Sequence, residues 1–283
     1  MKSNSSIHAL ETAELRRQGA AFSLIELLVV VSIIGILAAI AVPAVNSVKP
    51  NEAAVAAQQL ATDIGQARQL AISQHTTVDL VFVPANFWST DYDPAGGYGR
   101  LPVSEQQKTD RLLDKQWIGY AFVTLDNLGD QPGRGTVRYL SPWQSLPEGA
   151  FISPVKFGPR DPAAPLDIKN NLTGQDYRIV GFKVGSNIAF PSEAASVAPG
   201  AAPYIPVPYL AFDYRGQLTT GQDEYIPVGK GAVSFSRDPQ SKIAKQAPPT
   251  VDENPPGNSV NSYNIVAVEW LTGRVRIEHA EMK

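Results

Sequence analysis

The chain has 283 residues, a formal net charge of −3 and no cysteine; that length supports one or two domains with a sizeable core, and the missing thiols exclude disulfides, cysteine nucleophiles and zinc–thiolate sites without fixing a redox compartment. Three histidines (His8, His75, His279) give no basis for a multi-histidine metal centre, and 23 Pro with 22 Gly argue against an all-helical protein. The mild acidity argues against a general nucleic-acid-binding surface.

Residues 1–21 are polar, with Lys2, Arg16 and Arg17 against Glu11 and Glu14. From Phe22 to Val45 the chain is almost wholly apolar, long enough for a bilayer-spanning helix of about 20 residues. A single carboxylate, Glu26, interrupts it. A charge inside a membrane-length helix costs about 2.5–3.5 kcal/mol on insertion scales, so its default reading is functional. A secretory signal has a shorter apolar region, about 7–15 residues, followed by small residues. Here Gly19, Ala20 and Ala21 precede a longer run. A plain anchor oriented by Arg16 and Arg17 on the cytoplasmic side would account for the run but not for Glu26. Pro43 predicts a kink, because it removes a backbone donor and clashes with the preceding turn. Pro50-Asn51 is a second break. Residues 52–74 then carry Ala53, Ala57, Leu60, Ile64, Ala67 and Ala71 at a 4-3-4-3-4 spacing, which predicts an amphipathic helix laid across a sheet.

Beyond it the pattern becomes β. Val78–Val83 reads as a strand ended by Pro84, and residues 85–116 as a long irregular insertion. Further strands are expected at Trp117–Leu125, Thr136–Leu140, Tyr177–Val184, Tyr209–Tyr214 and Ala232–Ser236. Tyr263–Trp270 and Val275–His279 flank Leu271-Thr272-Gly273-Arg274 and predict a hairpin. Residues 191–208 and 239–258 read as Pro/Ala/Ser/Asn-rich loops. The expected fold class is α+β: a long N-terminal helix, apolar then amphipathic, followed by an antiparallel β-rich head.

The run Ala21-Phe22-Ser23-Leu24-Ile25-Glu26-Leu27-Leu28 closely resembles the prepilin signal of type IV pilins and type II secretion pseudopilins. The resemblance implies that a membrane-embedded prepilin peptidase cuts between Ala21 and Phe22, that the new amine of Phe22 is N-methylated, and that the helix stays on the mature chain. Ala21 stands where that family usually has Gly. The implied organisation is a leader at 1–21, a transmembrane and filament-core helix at 22–48, an amphipathic half at 51–75 and a head at 76–283. Cleavage creates an ammonium at Phe22, and Glu26 of one subunit would neutralise the amine of its neighbour. An unpaired buried charge is costly and a hydrogen-bonded pair is tolerated, so the pair would set axial register in a filament. Gln59-Leu60-Ala61 through Ala67-Arg68 to Ala71, Phe212–Leu218 and Thr272–Arg276 are most similar to H-type minor pseudopilins, and the helical stretch also resembles the Verru_Chthon cassette D group of pilin-like proteins.

These resemblances imply a structural subunit of a type IV pilus or type II secretion pseudopilus, a minor one given the long head. Its partners would be the prepilin peptidase and methyltransferase, other pilins or pseudopilins, and the inner membrane, which it would cross once with the head in the periplasm or outside. No catalysis, no cofactor, no metal and no nucleic-acid partner are expected. Two rival readings are an adhesive or DNA-capturing minor pilin whose head loops bind a ligand, and an envelope enzyme on a signal anchor.

Other candidates weigh toward structure. Asp91-Tyr92-Asp93-Pro94-Ala95-Gly96-Gly97 begins like a calcium loop, but Ala95 and Gly97 supply no side-chain oxygen, and an exposed turn is the better reading. The same holds for Asp252-Glu253-Asn254. His75 ends the helix where an imidazolium suits the dipole. Phe87, Trp88, Tyr92, Tyr98, Tyr204 and Tyr209 read as cover for the head before they read as a recognition surface. Arg134, Arg138, Arg274 and Arg276 read as a solvated sheet face. No GxSxG, HExxH or Walker pattern occurs.

Overall fold

The computed structural model describes residues 24–47, 52–125, 137–169, 176–195, 205–261 and 264–278. The chain divides into two compact units, Met1–Pro50 and Asn51–Lys283. The first contains helix α1, Leu24–Ser47, which is continuous across Pro43 where the sequence predicts a kink. One missing donor and a local clash do not end a helix whose other backbone bonds remain.

The second unit opens with α2, Glu52–Gln74, whose buried side chains are the expected stripe plus Ala56. His75 ends it in a left-handed turn (φ 50°), where His75 N–H reaches Ile72 O and Thr76 N–H reaches Ala71 O, the paired bonds of a Schellman cap. Strand β1 (Val78–Phe82) follows, then two short helices, α3 (Gly97–Arg100) and α4 (Val103–Asp110). Next come β2 (Gly119–Thr124), β3 (Arg138–Tyr139), β4 (Gln144–Ser145), β5 (Ala150–Ile152) and a 3-10 turn, Pro154–Phe157. The chain continues through β6 (Leu166–Lys169), β7 (Asp176–Ile179), β8 (Lys183–Gly185), β9 (Val207–Phe212) and β10 (Glu224–Ser234). It closes with β11 (Thr250–Glu253), helix α5 (Asn258–Asn261), β12 (Ile265–Val268) and β13 (Val275–Glu278).

One antiparallel sheet runs β3-β2-β1-β9-β8 with β4 on β2, and a second runs β11-β10-β12-β13 with β5 on β10. Strands β6 and β7 form a separate pair. In β1 both faces are buried, and the period of two sorts them. Val78, Leu80 and Phe82 join the core under α2, and Val81 enters a second core on the opposite face. That second core is built by the segment the sequence reads as an irregular insertion: Phe87, Leu101, Leu112 and Leu113 are all buried against the sheet. Among the described residues the head is therefore three-layered, with α2 on one face of the first sheet and the 84–116 and 186–195 segments on the other.

Three further corrections concern the strands. Tyr177–Val184 splits between β7 and β8, which belong to different sheets. The strand expected at Ala232 begins eight residues earlier, at Glu224. Pro227, Gly229 and Gly231 argue locally against a strand, but three partners hold it: β12 along Glu224–Pro227, β5 along Val228–Lys230 and β11 along Gly231–Ser234. Thr250–Glu253 forms a strand inside the expected loop at 239–258.

Candidate functional site

In the N-terminal unit, Glu26 lies in the first turn of α1, where the helix dipole favours a carboxylate. Around it the apolar side chains point outward in every direction: Ile25 is 67% exposed, Leu28 55%, Val31 59% and Ile34 59%. A helix apolar all round is one that other apolar material covers. Side chains of α1 are described from Leu24 to Leu37, and among the described residues no helix is long and apolar enough to cross a membrane. Ala21 and Phe22, the expected cut, lie outside the described residues, as do His8, His279, Arg134 and Tyr204.

In the head, three separated stretches meet on Arg68. Its Nε donates to Gly216 O at 3.3 Å and to Thr272 O at 2.8 Å. Gly216 (φ 78°) and Gly273 (φ 62°) sit in left-handed turns. A Cβ on Gly273 would stand 2.7 Å from Arg68 Cδ and would strike the backbone of Gly216. Asp213 Oδ1 accepts from Arg215 N–H and Gln217 N–H, both at 2.9 Å, and Leu218 N–H donates to Trp270 O. The stretches around Arg68, Asp213–Leu218 and Thr272–Arg276 are thus one clamp, joining α2 to the ends of β9 and of the β12–β13 hairpin.

Sequence reasoning missed a buried charge cluster. Lys156 and Glu224 are fully enclosed, with Nζ 2.8 Å from Oε2. Lys156 Nζ also donates to Val180 O at 2.8 Å and lies 4.5 Å from the centroid of the Phe182 ring. Arg160 donates to the other Glu224 oxygen at 2.6 Å and to Gly181 O at 3.0 Å. Burial pushes the Lys156 ammonium below the usual lysine range, against the opposing pull of Glu224. The cluster ties the 3-10 turn and the segment before β8 to β10. A second cluster fastens the loop after Phe190 to α4: Glu105 accepts from Lys108 at 2.6 Å and from Ser192 Oγ at 2.7 Å.

The remaining candidates take the structural roles that local chemistry favours. Asp93 does close a turn, its oxygens accepting Ala95 N–H at 3.1 Å and Gly97 N–H at 2.7 Å, but it and Gly97 are buried where the sequence predicts an exposed turn. Glu253 accepts from Ser259 Oγ and Ser259 N–H, while Asp252 pairs in register with Ala232. His75 Nδ1 contacts Ile72 O at 2.8 Å. Phe87 is buried, with Trp88, Tyr92, Tyr98 and Tyr209 packed on the same core. Arg138, Arg274 and Arg276 are exposed. Among the described residues no group of three His, Cys, Asp or Glu side chains is placed to hold a metal. Burial raises the phenol of Tyr120, as does its hydrogen bond to Asp63 at 2.5 Å.

Comparison with the curated proteins and with the solved structures finds no match to this chain. One family model does match. It covers Arg16–Val42, supports a type IV pilin-like chain processed at its N-terminus, and is the prokaryotic N-terminal methylation motif.

Proposed function

We propose that this protein is a pilin-like structural subunit, cut between Ala21 and Phe22, methylated on Phe22, and assembled through its N-terminal helix into a type IV pilus or a type II secretion pseudopilus, as a minor subunit. The observation that carries the reading is the methylation motif over Arg16–Val42 with a carboxylate, Glu26, in the first turn of an apolar helix. Residues 1–21 serve as the leader, 22–48 first as a single-pass inner-membrane anchor and then as filament core, 51–75 as the amphipathic half, and 76–283 as the head in the periplasm or outside. Glu26 of one subunit meets the Phe22 amine of its neighbour and fixes their axial register. The size of the head supports a minor position. The protein itself catalyses nothing and is a substrate of the peptidase and methyltransferase.

Mass analysis of the mature N-terminus tests the processing. A chain beginning at methylated Phe22 is expected, and an intact Met1 in the membrane fraction of a host with an active peptidase would refute it. Glu26→Ala tests the register: processing should continue while incorporation into filaments falls at least tenfold.

A further inference from the structure

We infer that the head carries a binding site for an acidic peptide segment of another protein, in the cavity between the end of α4 and the loop that joins β10 to β11. The inference goes beyond the filament-subunit reading and does not depend on it.

The cavity encloses about 520 Å³, within the usual range of ligand pockets. Asp110, Arg111 and Asp114 line it from the end of α4 and the turn after it, and Arg237, Lys242 and Ile243 line it from the loop. Its walls are tied together before anything binds. Arg237 reaches Asp114 at 3.3 Å, and Gln246 Nε2 donates to Tyr98 Oη at 2.7 Å and to Asp110 Oδ1 at 3.2 Å. Inside the loop, Asp238 Oδ1 accepts Gln240 N–H at 3.0 Å and Ser241 N–H at 2.9 Å. Lys242 N–H donates to Asp238 O at 2.9 Å, and Lys242 O accepts from Arg237 at 3.1 Å. These bonds hold Lys242 at a φ of 59°, a conformation disfavoured outside glycine. A loop so braced loses little entropy when a ligand docks on it.

The charges of this face are unevenly presented. Asp110, Asp114 and Asp238 are only partly exposed, and each already has a partner: Tyr98 and Gln246 on the first, Arg237 on the second, Lys245 on the third. Glu105 is buried under Lys108 and Ser192. Arg111 and Lys242 are the reverse, exposed and, among the described residues, without a side-chain partner. Arg111 offers a carboxylate a planar fork and Lys242 a point charge. Glu148, an exposed carboxylate, lines the adjoining cavity that shares Arg237, so the anionic group belongs on the Arg111 and Lys242 side. Ile243 stands beside Lys242 and is 64% exposed. A ligand that satisfies both features carries carboxylates next to an aliphatic side chain, as an acidic peptide does. A nucleic acid supplies the charge but no aliphatic side chain for Ile243.

The test titrates the full-length chain, unassembled in detergent micelles, against a fluorescein-labelled peptide of alternating Glu and Leu, read by anisotropy. Saturable binding is expected at about 50 mM NaCl, weakening several-fold at about 500 mM. Arg111→Glu and Lys242→Glu should each weaken it at least about tenfold, and Ile243→Ser about threefold or more. Lys183→Glu makes the same change in net charge on β8 and should leave binding unchanged. All four side chains are exposed, and equal urea midpoints check that each variant keeps its fold; should Arg111→Glu lower the midpoint, Lys242→Glu in the loop decides alone. No saturable binding at the lower salt would overturn the site. So would equal losses from Lys183→Glu, which would reduce the binding to bulk charge. Displacement of the labelled peptide by a mixed-sequence oligonucleotide at lower concentration than by unlabelled peptide would overturn the peptide assignment in favour of nucleic acid. Because the chain is unassembled throughout, none of these outcomes bears on the filament reading.

Discussion

Replacing Glu224 by Gln keeps the shape of the buried cluster and removes its negative charge. Lys156 is fully enclosed, and its remaining neighbours are one backbone carbonyl, an aromatic ring and the cation Arg160. Stripping one partner from a buried ion pair costs about 3–5 kcal/mol. Lys156 has one escape, which is to lose its proton. From the ordinary lysine value of 10.5, deprotonation at pH 7 costs about 5 kcal/mol, so that sets the ceiling. Burial lowers the Lys156 value in the folded state, so between that lowered value and 10.5 the unfolded chain binds more protons. Stability therefore rises with pH across that window. Removing Glu224 takes away the pull that opposes burial, so the variant's Lys156 loses its proton at a lower pH than the wild type's. Glu224→Gln should destabilise by about 3–5 kcal/mol at pH 7, and the deficit should shrink with rising pH, by up to about 1.4 kcal/mol per unit, across the window in which only the variant's Lys156 is deprotonated. Lys156→Met leaves Glu224 on Arg160 and should cost no more than about 1 kcal/mol, with the double variant close to it. Urea denaturation at pH 7, 8 and 9 measures all four chains. A Glu224→Gln loss under about 1 kcal/mol, or one that does not change with pH, would refute the desolvated pair.

Gly273→Ala places a methyl against the Gly216 backbone at a φ of 62°. It should cost about 2–4 kcal/mol and lower the melting temperature by about 5–15 °C. Gly221→Ala, at a φ of 66° with nothing within 4 Å, should cost only about 1 kcal/mol, and equal losses by calorimetry would refute the clamp. Asp93→Ala removes the acceptor for two turn amides and should cost about 1–2 kcal/mol, read as faster amide exchange at Ala95 and Gly97. Burial raises the phenols of Tyr92, Tyr120 and Tyr139 above the ordinary value of 10.0. Above pH 10 the unfolded chain then holds fewer protons, and stability should fall by up to about 1.4 kcal/mol per pH unit for each tyrosine; a flat profile from pH 10 to 11 would contradict this.

What was legible in the sequence was whatever repeats at short range. The stripe from Ala53 to Ala71 announces α2 because small apolar side chains recur at helical spacing, and those same residues are buried. Strand β1 was legible, but the burial of both its faces was not, because nothing local in residues 84–116 says that they fold back over it. Strand β10 was hidden by Pro227, Gly229 and Gly231, whose local preferences yield to pairing with β5, β11 and β12. Lys156 and Glu224 are 68 residues apart, and no pattern in one sequence joins them. The expected cut at Ala21–Phe22 lies outside the described residues, so that reading stands on the motif alone.

The division of labour between the two units makes the assembly test interpretable. The core under α2 begins at Ala53 and the second core at Val81, and every residue of both belongs to the unit that starts at Asn51. Glu26→Ala removes no side chain from either core, so a head that keeps its urea midpoint while the chain leaves the filament places the defect in assembly. Glu224→Gln should show the reverse: a lower midpoint, with processing at Phe22 unchanged. A Glu26→Ala chain that lost head stability as well would break this separation, and with it the claim that the carboxylate acts between subunits.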